Sequence, residues 1–425
     1  MRLFRIQAFG VLTFLLAGFF TLAAQDLKQA EPRAVGFSPE RLQRLDAAFA
    51  SYAENGELPG GVILLARKDR VAYYKPFGYA DPASRTPMPA DALFRIASQT
   101  KAIVSTGILM LQEEGSLNIG DPLWKYLPEF EKTTVAVARE GGGYEVVPAQ
   151  RPITLRDLLT HTSGIGYGYG VAADAWQAAG IQGWYFADRD EPIRETVRRM
   201  AALPMDAQPG SQYVYGYSTD ILGAVVEVAS GQPLDTFLKD RIFTPLGMND
   251  TYFYLPSGKA SRLATVYNPE EGGGLKRAPE GPGMDTQGQY VSGPRRSFSG
   301  GAGLVSSAAD YYRFLQMMEN GGELDGQRLL SPRTVKLMTV DHLPASAGWN
   351  QGTGFGLGFS VVTDMGKNGT YGSEGTFGWG GAYHSTYWVD PAEELIVVYF
   401  TQVRPNARVP DHAVLRNLVY QALVD

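Results

Sequence analysis

The spacing of apolar residues predicts a helix and a hairpin near the start of the chain. Ser38 and Pro39 suit a helix N-terminus, and after them apolar residues recur every three or four positions until Gly56. Two apolar segments, residues 61–66 and 71–77, then flank a short charged turn. This pattern is typical of a β-hairpin.

The middle of the chain combines helical periodicity with loop composition. The first long apolar helix is predicted from Ser98 to about Gly115, and a capping box at Thr154 predicts the start of a short helix. Residues 270–301 are rich in glycine, proline and charge, which predicts a long surface loop. Further helices are predicted over residues 191–200, 218–229, 233–242 and 307–320.

The last part of the chain returns to strand patterns. Residues 355–362, 383–389 and 395–401 predict antiparallel strands, and residues 411–424 predict an amphipathic helix. Strands at both ends with helices between them predict an α/β (α+β) fold. In that fold an antiparallel sheet, flanked by helices, is built from both ends of the chain.

The same layout predicts two domains. Residues 33–97 and 302–425 would form an α/β domain, and residues 98–301 a mainly helical insertion with long loops. Ser98 would lie where the chain first crosses from one domain to the other. Clefts form at such junctions.

Residues 1–24 have the pattern of a secretory signal peptide. Arg2 and Arg5 precede an apolar stretch over residues 8–22, and small residues stand before Gln25. The apolar stretch is about 15 residues long, whereas a helix that spans a bilayer needs about 20. We therefore expect cleavage, a periplasmic or extracellular location, and no stable membrane anchor afterwards.

Composition excludes several classes of site. The chain has no cysteine, so disulfides, thiolate metal sites and a cysteine nucleophile are ruled out. Its net charge of −6 provides no basic surface for nucleic acid. The four histidines include no H-x-x-x-H or H-E-x-x-H pair, so we predict no metal and no cofactor. His384 falls in a candidate site strand, but the sequence assigns it no role.

Ser98 and Lys101 form the first candidate for chemistry. They are three positions apart at the start of a predicted helix, so Ser98 Oγ and Lys101 Nζ can converge on one face. A hydroxyl becomes a good nucleophile when a neighbouring base takes its proton, and a helix N-terminus suits developing negative charge. No other serine in the chain has lysine at +3. This is the outline of an acyl-transfer site.

The residues alone leave the general base and the oxyanion-binding groups open. The chain has no G-x-S-x-G elbow, so a Ser-His-Asp triad is not favoured. Lys101 is one possible base and a tyrosine is another. Tyr215 stands out because it lies in a turn directly before a helix, although a core aromatic would fit there too. The glycines before Ala382 indicate either an edge strand that offers an N–H to an oxyanion or a bulge.

Taken together, these segments resemble the serine β-lactamase/penicillin-binding-protein superfamily. They are most similar to its class C-like branch, which includes the family VIII carboxylesterases and related acyltransferases. The segments that carry the resemblance are S-x-x-K at 98–101, L-L-x-H-T-S-G at 158–164, the tyrosine motif at 215–223, and residues 299–304 and 388–391.

The sequence departs from the β-lactamases of that branch at two motifs. Their Y-x-N is absent, and Tyr217 stands at its third position. Their K-T-G is also absent, and Trp379, Gly380 and Gly381 occupy its place. The lysine of K-T-G pairs with a substrate carboxylate, whereas tryptophan offers an apolar wall. These departures favour an uncharged ester over a β-lactam.

The resemblance implies a mechanism and a set of site residues. Ser98 would attack a carbonyl and form an acyl-enzyme, with Lys101 and Tyr215 sharing the proton transfer. The backbone N–H groups of Ser98 and Ala382 would form the oxyanion hole. The residues expected to bind substrate are Trp379, Gly380, Gly381 and Tyr217.

The resemblance leaves three functions open. The first is a carboxylesterase acting on a small-molecule ester. The second is a β-lactamase, D-amino-acid peptidase or acyltransferase, for which the substrate would be an amide or an acyl donor. The third is a non-catalytic homologue that binds acylated ligands. The oligomeric state is not indicated by the sequence.

Overall fold

The computed structural model describes residues 27–347 and 349–425, so the predicted signal peptide at residues 1–24 lies outside the described residues. At its centre is an antiparallel sheet of eight strands. In order across the sheet, the strands are β12 (Thr353–Phe355), β13 (Ser360–Val362), β14 (Phe377–Gly380), β15 (Thr386–Asp390), β16 (Leu395–Thr401), β1 (Gly60–Arg67), β2 (Arg70–Asp81) and β3 (Thr86–Pro87).

Both faces of the sheet are covered, because alternate side chains of its central strands enter two different cores. Val62 and Leu64 of β1 pack into a large core with the helices of the middle of the chain. Ile63 and Leu65 point the other way, into a smaller core with helices from the two ends of the chain. All eight residues of β1 and all seven of β16 are buried, as expected for strands covered on both sides.

Twelve α-helices surround the sheet in the described part of the chain. They are α1 (Pro39–Glu54), α2 (Thr100–Glu113), α3 (Leu155–Leu159), α4 (Ala173–Ala178), α5 (Ile193–Met200), α6 (Ser218–Ser230), α7 (Leu234–Leu238), α8 (Thr244–Leu246), α9 (Ala308–Glu319), α10 (Pro332–Met338), α11 (Met365–Asn368) and α12 (Asp411–Tyr420). None of these helices is long and apolar enough to cross a membrane.

Four short two-stranded pairings complete the described secondary structure. They are β4 (Phe94–Arg95) with β9 (Val305–Ser306), β5 (Thr134–Ala138) with β6 (Tyr144–Pro148), β7 (Tyr267–Pro269) with β8 (Leu275–Arg277), and β10 (Glu323–Leu324) with β11 (Gln327–Arg328). The β4–β9 pair fixes the chain directly before Ser98.

The predicted fold class is confirmed, since a large antiparallel sheet built from both ends of the chain is flanked by helices. The first helix begins with Ser38 as its N-cap, as predicted, and the capping box at Thr154 is present. Several element boundaries differ from the predictions.

Three predicted elements are divided or shortened. Residues 355–362 form two strands rather than one, because a turn containing Gly358 with φ 101° reverses the chain. The helix predicted over 233–242 is split into α7 and a π-helical turn at Lys239–Phe243. The strand predicted from residue 383 begins only at Thr386, because residues 381–384 form a turn.

The middle of the chain differs from prediction in two further respects. The β5–β6 hairpin was not predicted within the helical insertion. Residues 270–301 are also not wholly at the surface, since Gln287 and Tyr290 are buried. The carbonyl of Gln287 accepts a hydrogen bond from the buried Arg95 guanidinium at 2.9 Å. Glycine and proline indicated the irregular backbone correctly, but composition does not show what that backbone packs against.

Candidate active site

Ser98 lies in the 3-10 turn Ala97–Gln99, which leads directly into α2. Ala97 before it has φ 42°, an unusual conformation for a residue with a side chain. Ser98 is partly exposed, whereas its neighbours on both sides are buried. The turn therefore presents one hydroxyl to solvent at the N-terminus of a buried helix.

Lys101 is the side chain that the structure places beside Ser98. It is only 2% exposed. Its Nζ lies 3.3 Å from Ser98 Oγ, 3.0 Å from the Tyr167 hydroxyl and 2.8 Å from the Gly301 carbonyl oxygen. As an ammonium, it donates to all three oxygens. As a neutral amine, it donates to two of them and its lone pair accepts the Ser98 proton.

The Gly301 carbonyl is held in place by a buried carboxylate. Asp220, on α6, accepts hydrogen bonds from the Gly301 N–H at 3.1 Å and from Ser299 Oγ at 2.5 Å. Burial raises the pKa of Asp220, although the nearby Lys101 charge acts in the opposite direction. Lys101 on α2 thus contacts the Gly301 backbone that Asp220 on α6 holds. The two helices are linked in this way at the lysine that contacts Ser98.

Tyr215 lies on the other side of Lys101, in the turn before α6. Its ring centroid is 4.6 Å from Lys101 Nζ, a cation–π distance. Its hydroxyl accepts a hydrogen bond from Trp379 Nε1 at 3.0 Å. Among the described residues it forms no hydrogen bond with Ser98 or Lys101. Catalytic hydrogen bonds are often long before substrate binds, so this geometry does not remove Tyr215 from consideration.

Tyr167 is a site residue that the sequence analysis missed. It lies in the glycine-rich loop after α3, and its hydroxyl accepts a hydrogen bond from Lys101. Burial, with Tyr215 and Asp220 acting in the same direction, raises the pKa of Tyr167 well above its ordinary value, so its phenol is protonated at neutral pH. The only sequence signal was its position three residues after the L-L-x-H-T-S-G segment.

The substrate-binding role predicted for Tyr217 does not fit its position. Tyr217 is fully buried and its ring stacks on Trp176, with centroids 5.6 Å apart. Its hydroxyl donates to the Gly183 carbonyl at 2.8 Å. Two residues after Tyr215, the chain has already turned into α6, so this side chain supports the Tyr167 loop from behind.

His161, at the end of α3, also lies behind the site. It is 1% exposed, and its ring centroid is 4.6 Å from that of Tyr215. Burial, assisted by the Lys101 charge, lowers its pKa well below the ordinary value, so the imidazole is neutral. His161 therefore acts as a neutral packing partner of Tyr215.

The end of β14 lies next to the Ser98 turn. A side chain at Gly381 would place its Cβ 2.5 Å from the Ile96 carbonyl oxygen, so glycine is needed for this close approach. The next residue, Ala382, has a backbone N–H with no hydrogen-bond partner among residues 27–347 and 349–425. The Ser98 turn and the Ala382 N–H therefore face one cavity, as an oxyanion hole requires.

That cavity has a volume of about 380 Å³ and an aromatic wall. Trp379 packs edge to face against Phe355, with centroids 5.2 Å apart, and stacks with Trp349 at 6.3 Å. Of the described residues that line the cavity, none is a lysine or an arginine. The lining residues are Ser98, Tyr167, Trp184, Tyr215, Trp379, Gly380, Gly381, Ala382, His384, Ser385, Asn406 and His412.

One group of side chains in the described part of the chain has the composition of a metal site. Potential ligand atoms of His384, Asp411 and His412 lie within 4.8 Å of one another. Nε2 of each histidine is already in a hydrogen bond, and the two rings are stacked with centroids 4.2 Å apart. Face-to-face rings do not direct their lone pairs at one ion, so this arrangement favours a hydrogen-bonded cluster over a metal site.

Comparisons with known proteins agree with this geometry. The family model "Beta-lactamase" matches residues 45–421. Esterase EstB of Burkholderia gladioli is 34% identical over 84% of this chain and 89% of its own length. The lovastatin esterase of Penicillium rubens is 30% identical over 83% of this chain and 90% of its own length. The solved structure of EstCE1, described as a hydrolase with promiscuous acyltransferase activity, has a TM-score of 0.77 at 28% identity and covers 89% of this chain and 98% of its own.

Proposed function

Because the chain belongs to the beta-lactamase family of serine hydrolases, we propose that it is a carboxylesterase that acts through an acyl-enzyme on Ser98. The observation that carries this proposal is the aromatic cavity wall at Trp379, with no lysine or arginine among the described lining residues. A substrate carboxylate would lack a permanent cation there, whereas an uncharged acyl or alcohol group would find apolar contact.

In the proposed reaction, the Ser98 hydroxyl attacks the ester carbonyl carbon while its proton passes to Lys101, which lies 3.3 Å away. The carbonyl oxygen becomes an oxyanion that the N–H groups of Ser98 and Ala382 stabilise, and one such donor contributes about 3 kcal/mol. The leaving alcohol takes a proton from Lys101 or Tyr215. Water or another acceptor then releases the acyl group from Ser98.

The experiment that tests the proposal compares two substrate classes. We expect the purified protein to hydrolyse p-nitrophenyl acyl esters and to leave nitrocefin, a β-lactam, essentially unchanged. Nitrocefin turnover without ester turnover would instead support a β-lactamase. The absence of both reactions, together with no labelling by a fluorophosphonate probe, would support a non-catalytic binding protein.

Acyl transfer to an alcohol or amine is a second candidate function. EstCE1 is described as having promiscuous acyltransferase activity, and the cavity here is large enough, at about 380 Å³, for an acceptor beside an acyl group. Addition of short alcohols during ester turnover would produce transesterified products if the acyl-enzyme accepts them.

We further propose that the enzyme works outside the cytoplasm. This rests on the positive, apolar and small-residue segments of residues 1–24. Expression of the full chain in a bacterium, followed by N-terminal sequencing of a periplasmic fraction, would reveal a mature protein that begins near Gln25.

Tyr167→Phe provides a test of the residue that the sequence did not predict. The change removes the hydrogen bond between Lys101 Nζ and the Tyr167 hydroxyl. A hydrogen bond to a charged group typically contributes about 1.5–3 kcal/mol of stabilisation. We expect kcat for ester hydrolysis to fall at least tenfold. Tyr169→Phe in the same loop is the matched control, because Tyr169 is 62% exposed. Equal rates for both variants and the wild type would remove Tyr167 from the site.

A further inference from the structure

His384, on the wall of the same cavity, forms a histidine–carboxylate pair with the buried Asp411. His384 Nε2 is 2.8 Å from Asp411 Oδ1. Asp411 is 1% exposed, and its other oxygen accepts a hydrogen bond from the Tyr399 hydroxyl at 2.8 Å. The carboxylate is therefore fixed from both sides. Donation to this carboxylate places the imidazole proton on Nε2.

The other ring nitrogen of His384 is free. Nδ1 has no hydrogen-bond partner in the part of the chain that the structure describes, and His384 lines the cavity together with Ser98. A neutral imidazole with its proton on Nε2 has an acceptor lone pair on Nδ1. This is the arrangement of a base whose orientation is set by a third group.

The backbone of His384 has a left-handed conformation and lies in the same turn as Ala382. Its φ is 68°, a left-handed conformation that is uncommon for a residue with a side chain. Its N–H donates to the Gly381 carbonyl at 3.0 Å and closes a turn that also contains Ala382. The imidazole and the proposed oxyanion donor are thus held on one short turn.

His412 packs directly against the imidazole of His384. The two rings are stacked, and His412 Nε2 lies 2.9 Å from the His384 carbonyl oxygen. Burial, with the His384 ring acting in the same direction, lowers the pKa of His412. In the described part of the chain, Asp411 and His412 from α12 and Tyr399 from β16 are the titratable groups that contact the His384 side chain or its carboxylate partner.

We propose that His384 is the general base of the second half-reaction, which activates the acyl acceptor, and that Asp411 and Tyr399 position it. This proposal rests on the proposed acyl-enzyme at Ser98. The acceptor O–H gives its proton to His384 Nδ1 while its oxygen bonds to the acyl carbon. The bond from that carbon to Ser98 Oγ then breaks, and Ser98 Oγ takes up the proton from His384 through solvent in the cavity, which returns both residues to their starting states. With water as acceptor the product is a carboxylic acid, and with an alcohol it is an ester.

His384→Asn tests the proposal. Asparagine tolerates the left-handed backbone but cannot titrate near neutral pH. We expect steady-state ester turnover to fall about 100-fold or more, while acid-quenched protein, measured by intact mass during turnover, becomes almost fully acylated on Ser98.

Two further variants distinguish a catalytic role of His384 from a purely structural one. Tyr399→Phe removes only the hydrogen bond to Asp411, so we expect a smaller loss of turnover, with the same accumulation of acyl-enzyme. His342→Asn is the control, because His342 is outside the cavity and contacts the Leu337 carbonyl. It should retain wild-type turnover.

Several results would overturn the proposal. They are unchanged turnover in His384→Asn, and reduced turnover without accumulation of acyl-enzyme. Loss of wild-type activity on treatment with EDTA, restored by Zn²⁺, would assign the three side chains to a metal instead. If the wild type formed no acyl adduct on Ser98 at all, that result would contradict the proposed function itself rather than the role of His384.

Discussion

Replacement of Ser98 with alanine is expected to abolish ester hydrolysis and labelling by a fluorophosphonate probe. Ser98 Oγ lies 3.3 Å from the Nζ of the buried Lys101, and Ser98 lines the cavity. Without Oγ no acyl-enzyme can form, and loss of a serine nucleophile typically costs a factor of about 10⁴ or more in kcat. Stopped assays at high enzyme concentration, with mass spectrometry of the labelled protein, measure both effects.

The matched control is Ser116→Ala, because Ser116 lies just after the end of α2 and is exposed. It should keep full activity and labelling. The substitution at Ser98 removes a partly exposed hydroxyl and fills no space, so thermal unfolding of Ser98→Ala should match that of the wild type. Persistent probe labelling in Ser98→Ala would identify another nucleophile and refute the mechanism.

Lys101→Met is expected to have the second largest effect. The change keeps an unbranched side chain in the buried site but removes the ammonium or amine group that contacts Ser98 Oγ, Tyr167 and Gly301. Loss of both the base and the positive charge should lower kcat/KM about 10³-fold or more. Lys132→Met is the control for the loss of a lysine, since Lys132 is exposed.

Comparison of Lys101→Met with Tyr215→Phe separates the two possible bases. The Tyr215 hydroxyl contacts Trp379 rather than Ser98, so Tyr215→Phe should slow the release of the leaving alcohol more than the attack by Ser98. The rate of fluorophosphonate labelling should therefore fall sharply in Lys101→Met and only modestly in Tyr215→Phe. The opposite order would make Tyr215 the base for attack.

The elements with strong local signals were predictable from the sequence. Ser38 and Pro39 define the first helix, and the i, i+3 spacing of Ser98 and Lys101 brings their side chains together. The apolar segment over residues 395–401, rich in β-branched and aromatic side chains, is realised as β16. In each case the information lies within a few positions of the residue concerned.

The missed and wrong features depend on contacts between distant segments. Tyr167 reaches Lys101 only because a glycine-rich loop packs against α2, and no local pattern shows that approach. Tyr217 is two positions from Tyr215, but the start of α6 turns its side chain into the core. His384 and Asp411 are 27 positions apart and meet only when α12 packs beside the sheet.

The pairing of β1 with β16 has a consequence for the order in which the protein can assemble. The Thr401 hydroxyl donates to the carbonyl of Gly60, across 341 positions of the chain. Residues 379–382, which line the cavity with Ser98, are likewise made only after the helical middle of the chain. On the ribosome, Ser98 is therefore made well before the strands β14, β15 and β16 that complete its cleft. Contacts this far apart in sequence also favour slow folding and a dependence on chaperones while the central strand edge is unpaired.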